Sequence, residues 1–168
     1  MDTLNAGVHF PDDTAPADLG WKALAVNLSD LAAMGAAPAW CTLSLSLPKA
    51  DEGWIDAFLD GFLALADAHG VALVGGDTTR GPLSVCVTAH GLIAPGAALR
   101  RDGARVGDDV WVTGTLGDAA AALAQWRAGG VRDPALQERL DRPTPRVAFG
   151  AGLVGVAHAC IDVSDGLL

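Results

Sequence analysis

Cysteine is scarce in this chain, and the few present stand apart. Cys41, Cys86 and Cys160 are odd in number, far from one another in sequence, and form no C-x-x-C pair. That argues against a disulfide-stapled scaffold and against a structural zinc site. Basic residues are scarce as well: 11 Lys and Arg stand against 20 Asp and Glu, a formal net charge of -9. A chain of that sign is a poor main partner for a nucleic-acid backbone or an anionic membrane, although a local basic site could still hold a phosphate. No apolar run reaches the length of a membrane span and no leader pattern is visible, so a soluble, cytoplasmic protein is expected. There is no G-x-x-x-x-G-K-[ST] loop, and no HRD or DFG set. The four histidines, His9, His69, His90 and His158, are isolated, and no nucleophile–base pair stands out. Internal repeats, coiled-coil heptads and low-complexity tracts are absent too.

What is present is one domain's worth of chain, 168 residues of which 51% are apolar, enough to bury a real core. The most informative stretch is Gly75-Gly76-Asp77-Thr78-Thr79-Arg80-Gly81-Pro82. Apolar residues 71–74 lead into it and an alternating run, Leu83 to Val87, leads out. The pattern reads as strand, tight polar turn, strand. One carboxylate, two hydroxyls and a guanidinium meet glycines that let backbone N–H groups approach something bulky, which suits a metal–phosphate site. An ordinary polar hairpin turn would use the same residues.

In chain order, Asp2 to Phe10 is a polar–apolar mixture, followed by a loop over residues 11–16 rich in Pro and Asp. Asp18 could cap a helix from Leu19 to Met34, stopped by Gly35, with Asn27 and Asp30 beside its apolar stripe. Trp40 to Leu47 alternates as a strand. A helix follows over residues 51–69 and ends at Gly70. Further strands are expected at Val71–Gly75, Leu83–Ile93, Val110–Thr113 and Ala159–Val163. Further helices are expected from Asp118 to Ala128 and from Arg146 to His158, the second with Pro145 at its first position. The order is α-β-α-β-β-β-α-α-β, an α/β chain of the α+β type: a mixed sheet covered by helices on one face.

Aspartates collect where strands and helices give way to turns: Asp2, Asp30, Asp77, Asp108, Asp109, Asp118, Asp162 and Asp165. Asp162 and Asp165 are three apart, a spacing that can set both carboxylates round one cation as a strand ends. Hard oxygen donors without a His/Cys cluster favour magnesium over zinc. Each aspartate taken singly is equally a cap or turn residue.

Several segments together resemble the thiamine-monophosphate kinase family, within the wider aminoimidazole-ribonucleotide-synthetase-like ATP users. They are residues 2–10, the helix motif Lys22 to Ala36, the octapeptide from Gly75 to Pro82, the Val112–Asp118 turn, Arg142-Pro143-x-Pro145-Arg146 and residues 162–167. They run nearly end to end in the family's order. The resemblance implies transfer of the ATP γ-phosphoryl group to thiamine phosphate, giving thiamine diphosphate. It implies magnesium at Asp2, Asp30, Asp77, Asp162 and Asp165, with Asp30, Asp77 and Asp165 central to catalysis. Gly76, Asp77, Arg101 and Ser164 would touch ATP or its phosphates, and His9 the thiamine phosphate. A phosphate nucleophile is already anionic, so the reaction needs charge neutralisation more than a general base.

The resemblance also has departures. Family members carry an earlier Gly-Asp-Asp segment and a later second domain that this sequence does not contain. Residues 1–168 are therefore expected to be a single amino-terminal ATP-binding domain lacking its first strand, inactive alone. The family's homodimer is expected to form through the sheet, using the apolar-sided strands Trp40–Leu47 and Leu83–Ile93. Two other readings stay open: a non-catalytic homodimerisation module, and a related kinase or synthetase for another phosphorylated small molecule.

Overall fold

The computed structural model describes residues 1–164, 166 and 167. Its frame is two long helices laid together on one face of a four-stranded sheet. Helix α1, Pro16–Ala33, starts on Pro16 in the first turn and has no side-chain cap. The expected cap, Asp18, instead accepts a bond from Arg142. Helix α2, Glu52–His69, has both ends fixed locally. Asp51 accepts the Trp54 N–H at 3.1 Å, and Gly70 turns the chain with φ 64°.

The two helices approach closely at paired glycines. A Cβ on Gly20 would lie 2.0 Å from the Phe58 carbonyl oxygen, and one on Gly61 would lie 1.8 Å from that of Ala17. Leu19, Leu24 and Leu28 of α1 meet Phe58, Phe62 and Leu65 of α2, all fully buried. Trp54, Phe58 and Phe62 stack along α2 with successive centroids 5.4 and 6.1 Å apart.

The strands are β1 (Asp2–Asn5), β2 (Ala37–Leu47), β3 (Ala72–Arg80) and β4 (Ser84–Leu92), in the spatial order β1-β4-β2-β3. β2 pairs antiparallel with β4 and parallel with β3, so the sheet is mixed as expected. The alternation of β2 decides its faces: Cys41, Leu43, Leu45 and Leu47 are buried against the helices. Val85 and Val87 lie opposite Leu45 and Leu43 and join them. Thr42, Ser44 and Ser46 fall on the other face with Thr88, Cys86 and Ser84.

Several expectations change. The octapeptide is not a hairpin turn: β3 runs through it to Arg80, and β3 and β4 are separated by β2. The parallel ladder with β2 keeps the polar residues extended, so pairing overrides their turn preference. The opening segment supplies a strand, β1, because β4 offers it an edge. Segments 110–113 and 159–163 are not strands: Val110 and Trp111 are largely exposed, and neither segment joins a ladder. Apolar alternation alone does not make a strand; a ladder partner is needed, and these segments have none among the described residues. Helix α3, Asp118–Ala128, lies where expected, but α4, Pro134–Asp141, occupies a stretch not read as helix. The last helix, α5, is shortened to Val147–Gly152. Among the described residues no helix is long and apolar enough to cross a membrane.

Candidate functional site

Asp30 stands in the last turn of α1, at the edge of the sheet where β1 runs. Register places Asp2 opposite Val87, on the helix-covered face, so its carboxylate points to α1. The two meet: partial burial pushes the Asp30 carboxyl up, and the charges of Asp2 and Asp162 and a hydrogen bond with Asp2 push the same way. The chain's amino terminus opposes them. A cleft of about 390 Å³ opens at this corner, lined by Asp30, Asp162, Arg101, Asn27 and Cys160 among others. The loop after β4 brings Arg101, fixed where the Leu99 N–H donates to the Met34 carbonyl at 3.0 Å, just past α1.

The corner gathers negative charge faster than the protein supplies positive charge. That suits a cation with hard oxygen preference, and Arg101 on the same wall suits a phosphate brought by it. Among the described residues, no group of three or more His, Cys, Asp or Glu is arranged to hold an ion by itself. Substrate phosphate oxygens commonly complete magnesium coordination, so such a site need not be all protein.

The remaining expected residues lie elsewhere. Asp77 is opposite Ser44 on β2, hence on the open face of the sheet, away from Asp2 and Asp30. Gly76 shares a row with Leu43, Val87 and Asp2. Three strand spacings, about 14 Å, separate the ends of that row. Gly76 needs its hydrogen side chain for packing: a Cβ there would sit 1.8 Å from the Leu43 carbonyl oxygen. Gly75 has open space beside it, so room for a ligand is at Gly75 and not at Gly76. His9 sits exposed in the turn after β1, and its Nδ1 accepts the Asn5 N–H at 2.9 Å, leaving Nε2 to face outward. Ser164 is exposed two residues past Asp162. Asp165 lies outside the described residues.

Asn27, read from the sequence only as a companion of Asp30 beside the apolar stripe and given no site role, also lines the cleft and is 1% exposed. Its place three residues before Asp30 on the same helix side was the available signal. A second hollow, about 400 Å³, lies between loop 96–103 and residues 154–158. Its charged groups are already paired, Arg100 with Asp102 and His158 with Asp108, so it offers little free chemistry.

The chain is similar to known proteins in both sequence and structure. The family described as AIR synthase related protein, N-terminal domain, matches residues 1–93. The thiamine-monophosphate kinase of Salmonella typhimurium is 54% identical over 99% of this chain and 53% of its own length. The crystal structure of thiamine-monophosphate kinase from Stenotrophomonas maltophilia superposes with a TM-score of 0.96 at 63% identity, over 99% of this chain and 56% of that one. A structure of AaThiL complexed with AMPPCP and TMP superposes with a TM-score of 0.91 at 36% identity, over 99% of this chain and 55% of that one. The chain thus spans about half the length of the curated relatives it matches. It belongs to the AIR synthase related family and groups there with the thiamine-monophosphate kinases.

Proposed function

We propose that this chain carries the ATP-handling half of a kinase that moves the γ-phosphoryl group of ATP onto the phosphate of thiamine monophosphate. The observation that carries the reading is the corner where Asp2, Asp30 and Asp162 crowd together beside Arg101. The AaThiL complex with AMPPCP and TMP supports the pair of ligands. Two polyanions must meet in this reaction. Magnesium held by Asp30 and Asp162, with Asp2 alongside, would supply the charge that offsets their repulsion. Arg101 would bind a phosphate, with Ser164 nearby in the chain after Asp162. Asp77 and His9 would serve the nucleotide and the thiamine phosphate from beyond the cleft.

Calorimetry with AMPPCP on the folded chain tests the nucleotide half of the reading. Binding heat is expected with magnesium present, absent after chelation, and lost in Asp30→Asn. A folded chain with no nucleotide heat at millimolar AMPPCP and magnesium would remove the proposal. Turnover belongs to a protein of the relatives' length, where thiamine diphosphate is the product to detect.

A second copy is proposed as the cover for the open sheet face. The apolar sides of β2 and β4 are spent on α1 and α2, so pairing would use Thr42, Ser44, Ser46 and Thr88, together with the stacked Trp40 and His90 rings, 5.6 Å apart. The cytoplasm, where magnesium and ATP are abundant, is the compartment this reading implies.

A further inference from the structure

Helix α1 buries an amide that only half fits. The Nδ2 group of Asn27 donates to the Ala23 carbonyl at 2.9 Å, one turn back, which settles which end of the amide is oxygen. That oxygen, Oδ1, is buried and has no hydrogen-bond partner. A buried acceptor left unbonded costs about 1–3 kcal/mol. Stability alone would favour a leucine, the residue used at positions 24, 28 and 31 of the same helix. Asn27 also lines the cleft that Asp30 and Asp162 line. Neither the Cys160 thiol nor the Arg101 guanidinium, both on that cleft, bonds to the orphan oxygen.

The missing partner must be a donor. Ionised phosphate oxygens cannot donate, and the neighbouring carboxylates ordinarily accept. A hydrated divalent cation can donate, because every water on it turns its protons outward. We propose that Asn27 is a positioning residue: its Oδ1 accepts a hydrogen bond from a water bound to a divalent cation at Asp30 and Asp162. This rests on the metal-assisted reading above. It assigns the amide's cost to holding the hydration shell of the ion, and so the ion, in one orientation.

Manganese is the probe, its free aquo ion counted by electron paramagnetic resonance during titration of the 168-residue chain. Asn27→Leu should bind manganese about tenfold more weakly than the unaltered chain. Without metal it should melt at the same temperature or higher, since an unbonded acceptor has been replaced by an apolar group of similar size. Asn27→Asp, which keeps an oxygen in place, should bind at least as tightly as the unaltered chain. Equal manganese affinity in Asn27→Leu, with or without a change in melting, would overturn the inference and leave the amide a feature of the fold. If the leucine variant does not fold, Asn27→Ala is read by the same criterion. Failure of the metal reading looks different: the unaltered chain would bind no manganese, or Asp30→Asn would bind as well as it does. Either result would take this inference down with that reading.

Discussion

At the scale of single residues, the interior of the helical layer contains an ion pair that costs as much as it gives. Lys22 and Asp141 approach to 3.9 Å with side chains only 6% and 11% exposed. Burial holds the Lys22 ammonium below the usual lysine range, against the pull of Asp141 and Asp18. Removing one partner strands the other's charge, so Lys22→Met should cost about 3 kcal/mol in urea unfolding. The double change Lys22→Met with Asp141→Leu should recover most of that. Additive losses in the double-mutant cycle would show that the two charges do not interact. The pH sign follows from the lowered native pKa. Between it and the unfolded value near 10.5, the unfolded chain binds more protons, so this pair's contribution to stability rises with pH. Subtracting the pH profile of the double variant from that of the unaltered chain should isolate this rise.

Asn27 and Gly76 show where reading residues from sequence reached its limit. Asn27 was visible beside the apolar stripe of its helix, but its orphan oxygen is a three-dimensional fact. Gly76 looked like space for phosphate; its hydrogen is instead required by the neighbouring strand.

At the scale of elements, local chemistry was legible where it acted locally. Helix α2 begins at its Asp51 cap and ends at left-handed Gly70, within a residue of the expected bounds. The faces of β2 followed its alternation. Pairing was not legible, since it depends on which edges are free. That is why β1 was missed, why residues 110–113 and 159–163 were taken for strands, and why a strand was taken for a turn. The contact between α1 and α2 is the element-scale feature most open to test. Gly61→Ala would press a methyl group into the Ala17 backbone, which cannot yield as a side chain can. It should destabilise the chain by about 3 kcal/mol. Gly70→Ala is a contrasting case: space is open there but φ is 64°, so the expected loss is about 1 kcal/mol, from backbone strain alone. Chemical denaturation of both variants would rank them, and equal losses would contradict the packing argument.

At the scale of the whole molecule, the expected ligands divide between two faces of one sheet. Asp2 and Asp30 share the helix-covered side, and Asp77 faces the open side. In a protein of the relatives' length, Asp77→Asn is expected to lower turnover by about tenfold or more across a magnesium titration, since it removes a charge and keeps the shape. Asp67→Asn, exposed on α2, is the matched control. Normal turnover by Asp77→Asn would remove that residue from the site. The proposed second copy is tested separately. Sedimentation at micromolar concentration should show a dimer, and Ser44→Arg, placing a charge in the middle of the open face, should shift it to monomer. A monomer in both cases would leave the face to another partner.

The strand order has a consequence in time. β1 is made long before β4, yet among the described residues its ladder is with β4, and Asp2 pairs with Val87. During synthesis residues 2–5 must therefore wait for their ladder partner until the chain through β4 has emerged, while α1, β2 and α2 can already associate. The loop closed by that pairing spans most of the first half of the chain, and long closures are slow. Arg101 and Asp162 arrive later still. The acidic corner is thus complete only after Asp162 has emerged, well after α1, β2 and α2 can pack together, so its charges meet late although the helix that carries Asp30 forms early.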